Sequence, residues 1–333
     1  MKKLGVLAVG AFAALLGAVW WFSDPLPEPV TVTLTGGPAP PRIAPEEAGI
    51  DRVALDEAAT YAGERNTRAL VVAHNGHIVF EKYWGDTNYD TPVELSGFVP
   101  VLVALAAGSA VEDRLIPGLE QPMSNYVPGF AEGPSGKKSL KELLSHDVAD
   151  DMGWSANLAA EALERLTKQG YETVVAERLW KPMEGGTFSM ARRSAEGPGA
   201  VRASCCMTAR LGDWMRVGEL LSRHGVFEGN ELVPPDFVTK MFTPVAKDAK
   251  RGWLVHVGGE FAAHDTVWLE SEGEQRLWVI PSRELVILRV GDAPSKDRGW
   301  TEAMIPDSVV RGMSALREGQ AGQDVDPNRF APH

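Results

Sequence analysis

Strand-like runs lie at both ends of the body of this chain and helix-like runs fill the middle. That order restricts the fold more than any other feature. Near the start, Leu70-Val71-Val72-Ala73-His74 and Ile78-Val79-Phe80 flank Asn75-Gly76. Asn-Gly between β-branched runs predicts a tight hairpin, because both central residues of such a turn need positive φ. Near the end, residues 253–257, 267–270, 276–280 and 285–290 read as strands. Between them, residues 100–111 are almost wholly apolar and long enough for a buried helix. Pro100 stands in its first turn, behind Ser96-Gly97-Phe98-Val99. Residues 51–62, 139–146, 158–170, 172–180 and 208–224 carry helical spacing as well. A doubly wound parallel sheet would alternate strand and helix. This order instead predicts an α/β (α+β) domain, with an antiparallel sheet assembled from both ends and a helical insertion at about 112–184.

The flanks read differently. Lys2 and Lys3 precede an uncharged run over residues 4–22 that ends in Trp20-Trp21. As a helix it would span roughly 28 Å, about the hydrocarbon thickness of a bilayer. It is long for the core of a signal peptide, so residues 1–23 are expected to form an uncleaved transmembrane signal anchor, with a cleaved signal peptide as the alternative. The lysines then stay cytoplasmic and the remainder faces the periplasm of a bacterial-type inner membrane. Residues 24–48 are proline-rich and predict a semi-extended linker. Residues 318–333 predict a polar tail, which leaves 49–317 as the folded domain.

Charge and cysteine content narrow the function. With 33 Lys and Arg against 45 Asp and Glu, the net charge is −12, which argues against binding a nucleic-acid backbone. The only two cysteines are the neighbours Cys205-Cys206. A bond between neighbours strains the backbone, so they are expected to be small buried apolar residues. His74 and His77 flank the hairpin turn and read as a solvated pair, not a metal site. No zinc-protease, P-loop or dinucleotide fingerprint occurs, and no cofactor is expected.

Several stretches nonetheless fall in a familiar order. They are Val111-Glu112-Asp113, Pro122-Met123-Ser124-Asn125-Tyr126-Val127-Pro128, Leu140-Lys141-Glu142-Leu143-Leu144-Ser145-His146, Glu177-Arg178-Leu179-Trp180-Lys181-Pro182, Val233-Pro234-Pro235 and Ile280-Pro281-Ser282-Arg283-Glu284-Leu285-Val286. In order and spacing the chain resembles the serine β-lactamase and penicillin-binding-protein-like hydrolases, in particular the class C β-lactamase, esterase and 6-aminohexanoate-dimer hydrolase branch. The resemblance covers roughly residues 50–300. It implies a β-lactamase/transpeptidase-like fold and acyl transfer through three elements: a Ser-x-x-Lys nucleophile and base, a Tyr-x-Asn, and a Lys/His-Thr/Ser-Gly strand.

Each element is altered here. The nucleophile position falls on Ser96, but the lysine position holds Val99, which can neither take a proton nor supply charge. The second element falls on Trp154-Ser155-Ala156-Asn157; an indole is a donor only, and Asn157 is one position off. The third falls on Leu269-Glu270-Ser271, with neither cation nor glycine, and a carboxylate would oppose a developing oxyanion. A serine hydroxyl is a weak nucleophile without a base. Ser96 is therefore expected to be a helix cap or a remnant nucleophile, and His146 or His264 is the alternative base. The leading expectation is a membrane-anchored pseudoenzyme that binds a membrane-protein partner, or a small molecule in the former cleft. The alternatives are an active ester or amide hydrolase using Ser96 with a base from outside the family pattern, and an accessory subunit of a membrane complex.

Overall fold

The computed structural model describes residues 27–130, 134–145 and 152–313. The expected anchor (1–23), His146 and the expected tail (318–333) lie outside the described residues. Among the described residues, no helix is long and apolar enough to cross a membrane.

In chain order the elements are β1 (Val30–Thr35), α1 (Arg52–Gly63), β2 (Thr67–His74), β3 (His77–Tyr83), β4 (Pro92–Glu94), α2 (Val99–Glu112), α3 (Leu140–Leu144), α4 (Met152–Thr167), α5 (Tyr171–Val175), β5 (Gly186–Met190), β6 (Met207–Arg210) and α6 (Leu211–Ser222). A small ribbon of β7 (Val226–Phe227) and β8 (Asn230–Glu231) follows. The chain then runs through α7 (Pro235–Met241), β9 (Val267–Ser271), β10 (Gln275–Ile280), β11 (Leu285–Gly291) and α8 (Met304–Gly312).

The main sheet is antiparallel, with strand order β3-β2-β11-β10-β9, so strands from both ends of the chain pair at β2–β11 as the sequence predicts. Its hairpin turns at Asn75 (φ 51°) and Gly76 (φ 77°), the positive-φ pair that Asn-Gly supplies. One face of the sheet packs Leu70, Val72, Trp278, Ile280 and Ile287 against α1 and α8. The other packs Ala69, Val71, Leu277, Val279 and Leu288 in a second core with α2 and α6. Burial on both faces explains why β2, β10 and β11 read as near-continuous apolar runs instead of alternating ones. Helix α2 buries eleven of its fourteen residues, in agreement with its lack of a polar face.

Three expectations change. Residues 24–48 are not a free linker, because Val30–Thr35 forms β1 and pairs with β5 in a second antiparallel sheet of order β1-β5-β6-β4. The run Val-Thr-Val-Thr-Leu-Thr alternates with period two and lacks proline, and β1 sits at the sheet edge, where flanking prolines cost no ladder bonds. Residues 253–257 are not a strand. Leu254 takes positive φ (57°) and breaks the extension, leaving only isolated bridges from His256 to Arg251 and to Trp268. His74 and His77 are half-buried at the hairpin, and burial lowers the pKa of His74.

Candidate functional site

Strand β4 delivers Glu94 and Ser96 to the start of α2, since a 3-10 turn over Ser96–Phe98 links the two elements. β4 pairs with β6, Glu94 opposite Thr208, which brings Ser96 beside the residue that precedes β6, Cys206. The Ser96 hydroxyl donates to Glu94 Oε1 at 2.9 Å and accepts from the Cys206 backbone N–H at 3.1 Å. It caps nothing: neither the 3-10 turn nor α2 has a side-chain cap. The cap expectation fails because the hydroxyl is already committed across the β4–β6 pair.

Cys205 and Cys206 are joined by a disulfide and half-buried, not two free apolar residues in the core. Cys206 stands at φ 65°. The strain that argued against a bond is accommodated by this left-handed residue, whose carbonyl still accepts from the Ala191 N–H at 3.0 Å beyond the end of the β5–β6 ladder. From the other side the loop is held by Asn157 on α4. Asn157 Oδ1 accepts from the Ala203 N–H at 2.9 Å, and its amide donates to Ser204 Oγ at 3.0 Å and to the Gly153 carbonyl at 2.7 Å. Asn157 therefore reaches the site region, but it acts on the loop that covers Ser96.

The third side is β9. Ser271 Oγ accepts from the Gly97 N–H at 3.1 Å. The Glu270 carbonyl lies so close to Gly97 that a Cβ there would collide with it and stand 2.9 Å from Ser271 Cα. Strand β9 is thus seated on the serine turn, backbone to backbone. An Arg289 guanidinium, fully buried, holds the following turn by donating to the Gly273 and Glu274 carbonyls at 2.9 and 2.7 Å.

The remaining residues from the altered motifs do not converge on Ser96. Val99 is fully buried in the core around α2, so its position offers no room for a charged head. Trp154 is 41% exposed at the start of α4. Leu269 is core. The Glu270 side chain faces the α8 side of the sheet, 3.3 Å from Arg276 and 3.9 Å from His256. His264 is exposed in the turn before β9, at the opposite end of that strand from Ser271. The structure thus does not place His264 as a base for Ser96. Phe98 packs edge-on against Trp214 (5.6 Å between centroids), and Trp268 lies between His256 and Phe261.

Two partners of Ser96 were not among the expected site residues. Glu94 carried a signal, a carboxylate two positions before the serine, but only the strand geometry turns it toward the hydroxyl. The disulfide also carried one, in the bare adjacency of its cysteines. Chemically, Ser96 has its proton engaged by a carboxylate, a much weaker base than an amine, and a lone pair engaged by an N–H. The bond from the N–H lowers its readiness to attack a carbonyl, whereas the bond to the carboxylate offers it only a weak general base.

No protein-family model and no curated protein sequence matches the chain. Solved structures do resemble it. A Bacillus anthracis protein assigned as a 6-aminohexanoate-dimer hydrolase superposes with a TM-score of 0.67 at 15% identity, over 87% of this chain and 91% of the other. A protein assigned as a β-lactamase from Bacteroides dorei gives 0.63 at 16% identity, over 79% and 99%. A family VIII carboxylesterase gives 0.60 at 13% identity, over 79% and 98%. At these identities the likeness shows the fold, that of the serine β-lactamases and penicillin-binding-protein-like hydrolases.

Proposed function

We propose that this chain uses the serine β-lactamase fold for binding instead of hydrolysis, as a pseudoenzyme held at a membrane by its first 23 residues. The observation that carries the reading is the state of Ser96. Its hydroxyl is bonded on both sides, to Glu94 and to Cys206, and among the described residues no lysine, histidine or tyrosine is bonded to it. Val99, buried where the family's lysine would stand, removes the general base. The contact of β9 with Gly97 narrows the gap in which an acyl group would lie. These features favour a protein partner at the domain surface over a small molecule in the former cleft. The expected anchor would concentrate the domain near membrane-embedded partners.

The test is labelling of the purified full-length chain with a fluorescent fluorophosphonate and a fluorescent penicillin. Neither is expected to label above the Ser96→Ala background. Efficient labelling that disappears in Ser96→Ala overturns the reading.

One observation favours a second reading. The Ser96–Glu94 bond at 2.9 Å is the geometry of a nucleophile with an attached base. On that reading the chain slowly hydrolyses an activated ester, and Glu94→Gln and Ser96→Ala abolish the activity equally. A rate that neither substitution changes excludes it.

A further inference from the structure

We propose that Cys205–Cys206 is a thiol-exchange site whose substrate is a dithiol, either a small molecule or a redox-active protein, and whose reduction releases the cover over Ser96. The pair is half-buried in a loop and not enclosed in the core. It contains the only cysteines of the chain, so once opened it can re-form only with itself or exchange with an outside thiol. The Cys206 N–H donates to Ser96 Oγ, and the closed ring formed by the two neighbouring residues holds that N–H in place. Cys206 sits at φ 65°, a left-handed region unfavourable for an L-residue other than glycine. Opening the ring lets Cys206 return to negative φ, which turns the N–H away from the serine. Asn157 keeps its bonds to Ala203 and Ser204, so the change stays within the loop.

The exchange balances as follows. One thiolate of the dithiol attacks a sulfur of the pair, the Cys205–Cys206 bond breaks and a mixed disulfide forms. The second thiol of the reductant then displaces the remaining cysteine sulfur. Two electrons and two protons pass to the cysteines, and the reductant leaves as its own cyclic disulfide. The inference stands beside the binding reading and not on it, because none of its readouts involves acylation of Ser96.

The experiment uses the full-length protein with dithiothreitol as the probe. Native protein is reduced, alkylated with iodoacetamide and weighed intact, and amide exchange over residues 203–208 is followed by mass spectrometry. Two alkyl groups are expected without denaturant, with unchanged circular dichroism and at least tenfold faster exchange in that segment. The Cys205→Ser/Cys206→Ser double variant is expected to exchange fast with or without dithiothreitol. Alkylation that requires denaturant overturns the proposal, as does equal exchange in the oxidised and reduced wild-type chain. The wild-type comparison decides the matter even where the double variant fails to fold.

Discussion

Gly97→Ala tests whether β9 is truly seated on the serine turn. Gly97 is not at positive φ, so the substitution adds no backbone strain and acts only through its new methyl group. That methyl would collide with the Glu270 carbonyl and lie 2.9 Å from Ser271 Cα, so strand or turn must move by roughly an ångström. Overpacking of this kind costs about 1–3 kcal/mol. The shift also breaks the Gly97–Ser271 hydrogen bond, a further loss of about 1 kcal/mol. Against these, alanine reduces the freedom of the unfolded chain and favours a helical turn by up to about 1 kcal/mol. The net expectation is a loss of about 1–3 kcal/mol. Urea unfolding followed by tryptophan fluorescence measures it. Ser271→Ala is the companion, since it removes the hydrogen bond without a clash and is expected to cost about 1 kcal/mol. If Gly97→Ala is no less stable than Ser271→Ala, the strand does not rest on the turn and the narrowed gap is refuted.

Two further outcomes are expected. Asn157→Ala leaves the N–H of fully buried Ala203 without a partner and costs about 2–3 kcal/mol; a loss below about 0.5 kcal/mol in urea unfolding would mean that α4 does not hold the 203–206 loop. Burial lowers the pKa of His256 below the usual imidazole value of 6.5, and Glu270 opposes that shift. The unfolded chain therefore takes up this proton at higher pH than the folded one. The contribution is full above 6.5 and is lost as pH falls through the folded value. His256→Phe keeps a ring stacked on Trp268 and removes the titration. Melts from about pH 7 to 5 should show the wild type losing stability relative to this variant, and a pH-independent difference between them would contradict the assignment.

The readable parts of the fold were those whose sequence pattern had one physical meaning. Asn75-Gly76 between apolar runs left one turn type, and strands buried on both faces wrote themselves as apolar runs. The second sheet was not legible. β4 is three residues long, β6 ran into the helical pattern of α6, and β1 was masked by the prolines on either side of it. At the site, Val99 and the Leu269-Glu270-Ser271 segment were readable as departures from the resembled motifs, since a motif position can be inspected without a fold. What surrounds Ser96 in their place was not readable. Ser96 meets Cys206 across 110 positions, only because β4 and β6 are neighbours in a sheet the sequence did not reveal.

The strand β1 also sets a leash. Were residues 24–48 a free extended linker, the domain could range roughly 85 Å from a bilayer. With β1 starting at Val30 and bonded into the fold, only residues 24–29 separate the proposed anchor from the body. Fully extended, they reach roughly 20 Å, no more than the radius expected of a domain this size. On the proposed anchoring the domain cannot sweep the space beyond the membrane. So anchored, it would ride against the headgroups with the edge of its smaller sheet nearest the lipid, and a partner would come to it along the membrane plane.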